Sequence, residues 1–306
     1  MAGKKRAGAS RLDRRITNIL FMLPAVFAFA MVIGIPFLLG VAYSFTDWDG
    51  VHGNVNHVGL KNYLSIFRDP SFIHAFTVTI KFTLLNVVSV NAVAFLLALL
   101  VTSRVKARNL YRAGFFVPNL IGGIVLGAIW QFIFNNILPQ VGKDLGVAWL
   151  SRSLIINADT VVLTLVIVNT WQYAGYIMMI FVAAIQSIPE SVLEAARVDG
   201  ASYPCCVRKI MIPLMANAFT ISLFLTMTTS FKMYDVNLAL TNGGPSGLFM
   251  KKAIGMSELL AMNIYNTAYK FSRMAEGQAK AVIFFIVLMI VSVFQVTYSK
   301  RKEVEM

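Results

Sequence analysis

The sequence predicts an all-α membrane protein with six transmembrane helices. Three observations lead there. Of its 306 residues, 58% are apolar and 13% are charged, about half the ~25% charge of a soluble domain. Mean hydropathy is +0.70. Six stretches lack Asp, Glu, Lys and Arg for 19 to 30 residues, and a ~30 Å bilayer core needs about 20 apolar residues in a helix.

The uncharged runs place the helices at about 16–45, 73–103, 113–142, 160–189, 210–231 and 281–299. The second begins near Ile73, with His74 and Lys81 in its first turns. Pro24, Pro36, Pro118 and Pro213 fall in or beside these runs, and membrane helices tolerate proline better than soluble ones do. The first run follows a basic tail, 1–15, and Ala28-Phe29-Ala30 resembles a cleavage site. Its apolar stretch exceeds the 7–15 residues of a signal core, so it reads as a retained helix.

Orientation follows from Lys and Arg. Segments 1–15, 104–112, 190–209 and 300–306 hold 16 basic residues in 51, and the opposite segments hold 10 in 93. The basic side should be cytoplasmic, with both termini on it. The net charge of +13 then reads as topology beside anionic lipid rather than as a nucleic-acid surface.

Several chemistries lack their residues. No Gly-x4-Gly-Lys-Ser/Thr loop is present, so no ATP site of that kind is expected. His52, His57 and His74 lack metal-ligand spacing. Cys205 and Cys206 are adjacent and fall on the cytoplasmic side, so neither a disulfide framework nor a metal set is expected. No catalytic residues stand out, so the chain is read as not an enzyme. Acidic residues are missing from the six uncharged runs, against a proton-driven carrier.

The connection 188–213 is the most informative segment. Ser191 and Glu194 have capping-box spacing, Leu193 to Arg197 favour helix, and Gly200 suits a C-terminal stop. A helix over roughly 190–199 and a second short piece over Cys205–Lys209 are expected, with Pro213 starting the fifth span. Local physics leaves two readings open. The helix is an interfacial connector capped by Glu194, or it is a docking helix with Ala195 and Ala196 allowing close approach.

Glu194-Ala195-Ala196, Gly200, Ile210 and Ile212-Pro213 resemble the EAA loop of the membrane subunits of binding-protein-dependent ABC importers. Ile212 stands where that family has Leu. Asp199 beside Gly200 is similar to its carbohydrate branch, and Leu240-Thr241-Asn242-Gly243-Gly244-Pro245 resembles an outer-side signature of its maltose and multiple-sugar permeases. Met274 to Ala281 resembles the small-residue approach to the family's last helix.

The resemblance implies a bacterial plasma-membrane permease subunit of an ATP-driven sugar importer, forming half of a pathway with a second permease subunit. It implies two ABC ATPase subunits that bind ATP and Mg, an extracytoplasmic solute-binding protein, and no cofactor in this chain. Glu194, Ala195, Ala196, Asp199, Gly200, Ile210 and Pro213 would form the ATPase-coupling surface. Asn169, Tyr173 and Tyr176 share one face of the fourth span, and Thr226, Ser230 and Met233 are taken to share one on the fifth. These faces resemble those lining the family's substrate cavity, and the alternative is helix–helix hydrogen bonding. Trp130, Gln131 and Gln172 are further candidates, while Lys232 and Asp235 are expected at the outer mouth. Glycerol phosphate or a polyol as cargo, an ATPase-independent carrier and a membrane enzyme are the rival functions.

Overall fold

The computed structural model describes residues 3–300 except 54, 104 and 105, with side chains from residue 16 onward. The 301–306 part of the predicted C-terminal tail therefore lies outside the described residues. Among the described residues, five helical stretches are long and apolar enough to cross a membrane: Ile16–Tyr43, Pro70–Thr102, Gly123–Asp144, Val161–Ser187 and Met274–Lys300. The bent pair Tyr203–Leu214 and Ala216–Phe231, whose halves meet at 73°, makes a sixth when the two halves are counted as one broken span.

The chain divides into two units, one of residues 1–65 with 267–282 and one of 66–266 with 283–306. The first contains α1 (Gly3–Phe29), a π-helical turn (Ala30–Gly34) and α2 (Ile35–Tyr43). Helix thus runs back through most of the predicted basic tail. The loop after α2 is tied to the next helix, α3 (Lys61–Ile66), by Asn62 Nδ2, which donates to the Ser44 and Thr46 carbonyls at 2.8 Å each. The backbone amide of Asn56 holds the Asp47 carboxyl below its usual range, and the amides of His52 and Val51 do the same for Asp49.

The second unit contains α4 (Pro70–Thr102), α5 (Arg108–Phe116), a 3-10 turn (Val117–Leu120), α6 (Gly123–Phe132), a π turn (Ile133–Ile137), α7 (Leu138–Asp144) and α8 (Val161–Ser187). Next come α9 (Glu190–Val198), α10 (Tyr203–Cys206), a π turn (Val207–Met211), α11 (Ile212–Leu214), α12 (Ala216–Phe231) and α13 (Asp235–Leu240). A hairpin of β1 (Ser246–Phe249) and β2 (Lys252–Gly255) precedes α14 (Leu260–Tyr265). The π turn Asn266–Lys270 leads to α15 (Met274–Lys300), and of this stretch residues 267–282 belong to the first unit and the rest to the second. The hairpin is a small addition to an otherwise helical chain. Its reversal at Met250 and Lys251, both at positive φ, fits the two-residue turn that matches strand twist.

Several expected boundaries move, each for a local reason. The second span starts at Pro70 rather than Ile73, because Asp69 caps it by accepting from the Ser71 amide at 3.1 Å. The expected helix 113–142 is broken: Pro118 sits in a 3-10 turn, and Ile121 and Gly122 are extended before α6 restarts. The expected helix 210–231 breaks at Met215, so Pro213 lies in the short arm before the break rather than at the start of α12. The last span begins at Met274 rather than 281. Its helix therefore includes Glu276 and Lys280, correcting the expectation of spans free of acids.

Three of the π turns share one cause. Each sits just before a proline at the second position of the following helix: Pro36, Pro139 and Pro213. Proline supplies no amide to the carbonyl four residues back and its ring crowds that carbonyl. The helix widens by one residue instead. Accordingly the Ile35, Leu138 and Ile212 amides each bond five residues back, to the Ala30, Ile133 and Val207 carbonyls.

Close helix packing centres on α4, α8 and α12. Gly175 lets α8 approach the α5 backbone so closely that an added Cβ would lie 1.7 Å from the Phe115 carbonyl oxygen. One buried apolar cluster includes Phe82, Leu165, Val168, Val236 and Leu240. Another includes Val90, Ile177, Phe181, Met211 and Met215.

Candidate functional site

The connection between α8 and α12 forms two short helical pieces. α9 spans Glu190–Val198 as the local sequence predicts. Its start differs from expectation: Pro189 is the N-cap and no side chain caps it, so Ser191 and Glu194 do not form a capping box. The Val192 amide bonds the Pro189 carbonyl instead. Its end is a Schellman closure. The Ala201 amide reaches the Ala196 carbonyl at 2.9 Å and the Gly200 amide reaches Arg197 at 3.0 Å. Gly200 takes φ +79°, a left-handed conformation that costs other residues about 1–2 kcal/mol.

This helix is anchored by one side and open on the other. Leu193 packs against the second apolar cluster and Ala196 is half-buried. Glu194, Ala195, Asp199 and Gly200 are exposed. Val198 is 87% exposed, an apolar side chain held out beside a carboxylate. The second piece is α10 followed by a π turn rather than a helix over 205–209. Cys206 is buried, while Ile210 is half-buried and Pro213 exposed. A cavity of about 410 Å³ opens between α9 and its neighbours, lined in part by Glu190, Leu193, Arg197 and Tyr203.

The expected substrate-lining residues divide. Tyr173 and Tyr176 are half-buried on one face of α8, their rings 5.7 Å apart and edge-on. Asn169, Thr226 and Ser230 are buried and join a hydrogen-bonded seam with α4. Asn86 Nδ2 donates to Asn169 Oδ1 at 2.7 Å and to Ser230 Oγ at 2.8 Å. Asn91 Nδ2 donates to Thr226 Oγ1 at 3.0 Å and to the Val87 carbonyl at 2.8 Å. Met233 lies beyond the end of α12, whose C-cap is Lys232, and is buried in the first apolar cluster. It does not continue the helical face of Thr226 and Ser230.

Of the further candidates, Trp130 meets Trp171 edge-on at 5.7 Å. Gln131 donates to the Leu240 carbonyl and Gln172 to the Ile121 carbonyl. Lys232 and Asp235 are exposed. Sequence reasoning missed Asn86 and Asn91. The available signal was two asparagines in the second uncharged run, where an amide needs a partner.

The Leu240–Pro245 signature folds into a turn held from outside it. Asn237 Nδ2 donates to the Ser257 carbonyl at 2.9 Å, and Ser257 Oγ donates to Thr241 Oγ1 at 2.8 Å. Gly255 passes so close that a Cβ there would lie 2.3 Å from the Gly243 carbonyl oxygen.

The family described as binding-protein-dependent transport system inner membrane component matches residues 91–303. The chain belongs to this family. It is 42% identical over 287 residues to a probable starch degradation products transport system permease protein of Thermoanaerobacterium thermosulfurigenes, covering 94% of this chain and 95% of that one. It is 30% identical over 269 residues to a multiple sugar-binding transport system permease protein of Streptococcus mutans, covering 88% and 90%. A sn-glycerol-3-phosphate transport system permease protein of Agrobacterium fabrum is 28% identical, covering 81% and 82%. Among solved structures, a bacterial ABC transporter involved in the import of the acidic polysaccharide alginate matches with TM-score 0.81 at 19% identity, covering 95% of this chain and 98% of that one. This protein is thus a multi-pass transport permease, with the fold of an ABC importer subunit.

Proposed function

We propose that the chain is one membrane-spanning subunit of an ATP-driven oligosaccharide importer in a bacterial plasma membrane. It forms half of the pathway with a second permease subunit. Two ATPase subunits dock beneath it, and an extracytoplasmic binding protein delivers the sugar. ATP and Mg are held by the ATPases. The supporting observation is α9: a Schellman-closed helix, anchored through Leu193, with Glu194, Ala195 and Val198 exposed on its free side. A chain without a phosphate-binding loop is driven only through a contact whose free energy differs between two states, and α9 is suited to be that contact. In this reading both termini are cytoplasmic, on the α9 side.

The relatives named for starch products and multiple sugars favour a neutral carbohydrate. A second reading, glycerol phosphate, rests on the Agrobacterium relative. The buried seam of Asn, Ser and Thr suits hydroxyls better than a phosphate, which needs cationic partners at membrane depth.

The test is reconstitution of the complete importer in proteoliposomes, with ATP-driven uptake of labelled maltotriose, arabinotriose and glycerol 3-phosphate measured side by side. Uptake of an oligosaccharide is expected. Uptake of glycerol 3-phosphate alone would overturn the carbohydrate assignment.

A further inference from the structure

We infer that Asn86 of α4 is a positioning residue for sugar binding: it holds Asn169 by its side-chain oxygen and so sets Nδ2 as the donor offered to a sugar hydroxyl. The inference rests on the carbohydrate reading and deepens it.

The direction of each amide follows from the network. Ser230 Oγ has one hydrogen and donates it to the Thr226 carbonyl at 2.5 Å. Towards Asn86 it can only accept, so Asn86 must turn its nitrogen to Ser230. The second N–H of that nitrogen goes to Asn169 Oδ1. Both donors of Asn86 are then used, the oxygen of Asn169 is engaged, and Asn169 Nδ2 has no partner among the described residues.

A seam built only to join helices would satisfy its own atoms. This one leaves Asn86 Oδ1 and Asn91 Oδ1 buried without a partner, although Asn86 is 1% and Asn169 7% exposed. Asn169 also shares its helical face with Tyr173 and Tyr176, whose adjacent rings suit a sugar face. Asn91 is the internal comparison. It uses the same chemistry to hold Thr226 Oγ1, but a hydroxyl can rotate and an amide fixed at one atom cannot.

The experiment uses the intact importer and whichever of maltotriose or arabinotriose the unaltered complex takes up faster, together with that sugar's monodeoxy analogues. A site that hydrogen-bonds a hydroxyl rejects the analogue lacking it. Asn86→Leu should raise the uptake KM about tenfold, keep maximal rate within about twofold, and abolish discrimination against one deoxy analogue, as Asn169→Leu does. Asn91→Leu should lower the thermal midpoint yet keep that discrimination. Should Asn86→Leu not assemble, Asn86→Asp serves: it has the same shape but at most one donor, and cannot serve Ser230 and Asn169 together. Discrimination retained in the Asn86 variant, or lost equally in Asn91→Leu, would show the seam to be merely structural and overturn the inference. Uptake of neither sugar by the unaltered complex would remove the carbohydrate reading itself.

Discussion

The α9 segment and the α4–α8–α12 seam lie in one folded unit and solve opposite problems. The segment holds Glu194, Ala195 and Val198 outward on a short local helix, with Val198 almost fully exposed and Leu193 as the anchor. The seam turns its polar groups inward and ties together residues 83 and 144 positions apart. In the proposed reading, one surface meets a macromolecular partner. The other keeps its amides almost wholly buried in this conformation. Groups offered to a large partner can be specified by a few consecutive residues, whereas groups offered to a small molecule need several helices to agree.

The largest expected effect is at the segment. Glu194→Ala or Gly200→Val should abolish transport and reduce copurification of the ATPase, while membrane insertion and the thermal midpoint of the permease change little. Gly200→Val forces a β-branched residue into the left-handed region, so the Schellman closure should open. Normal uptake in both variants would dissolve the contrast between the two regions.

Next in size is Gly175→Ala. The new methyl meets the Phe115 carbonyl, and overpacking of this kind costs about 1–3 kcal/mol or more. Thermal unfolding in detergent should show a clear drop, with ATPase contact spared in whatever folds. An unchanged midpoint would mean that α5 and α8 are not packed this tightly.

The smallest expected effect separates the half-buried aromatic pair from the seam beneath it. Tyr176→Ala should weaken sugar uptake several-fold while leaving ATPase assembly and stability near those of the unaltered chain. Loss of assembly instead would make Tyr176 part of the packing and shrink the candidate site to Asn169 and its partners.

Much of this was legible in the sequence. Uncharged runs located the spans, and the local sequence around Glu194 located the short helix α9, because both are local patterns. The breaks at Pro118 and Met215 were not read. Proline in a hydrophobic run can be absorbed or can end a helix, and the outcome depends on what packs beside it. Pro36 and Pro139 sit after π turns within spans that continue, whereas Pro213 precedes a bend of 73°. Glu276 and Lys280 were placed outside the last span because charge was taken as the boundary. The structure keeps them in its helix, where Glu276 pairs with Arg273 and Lys280 donates to Thr267 Oγ1 at 2.8 Å. The seam was missed because hydrogen bonds between distant helices leave no periodicity.

The joint at Met215 has a mechanical corollary. The arm Tyr203–Leu214 and the rod α12 meet near a right angle, as in a bell crank. A shove delivered along the arm emerges mostly sideways at the rod, and Thr226 and Ser230 ride on that rod. A motor tugging at one end of this lever would therefore shear the amide clasp rather than stretch it.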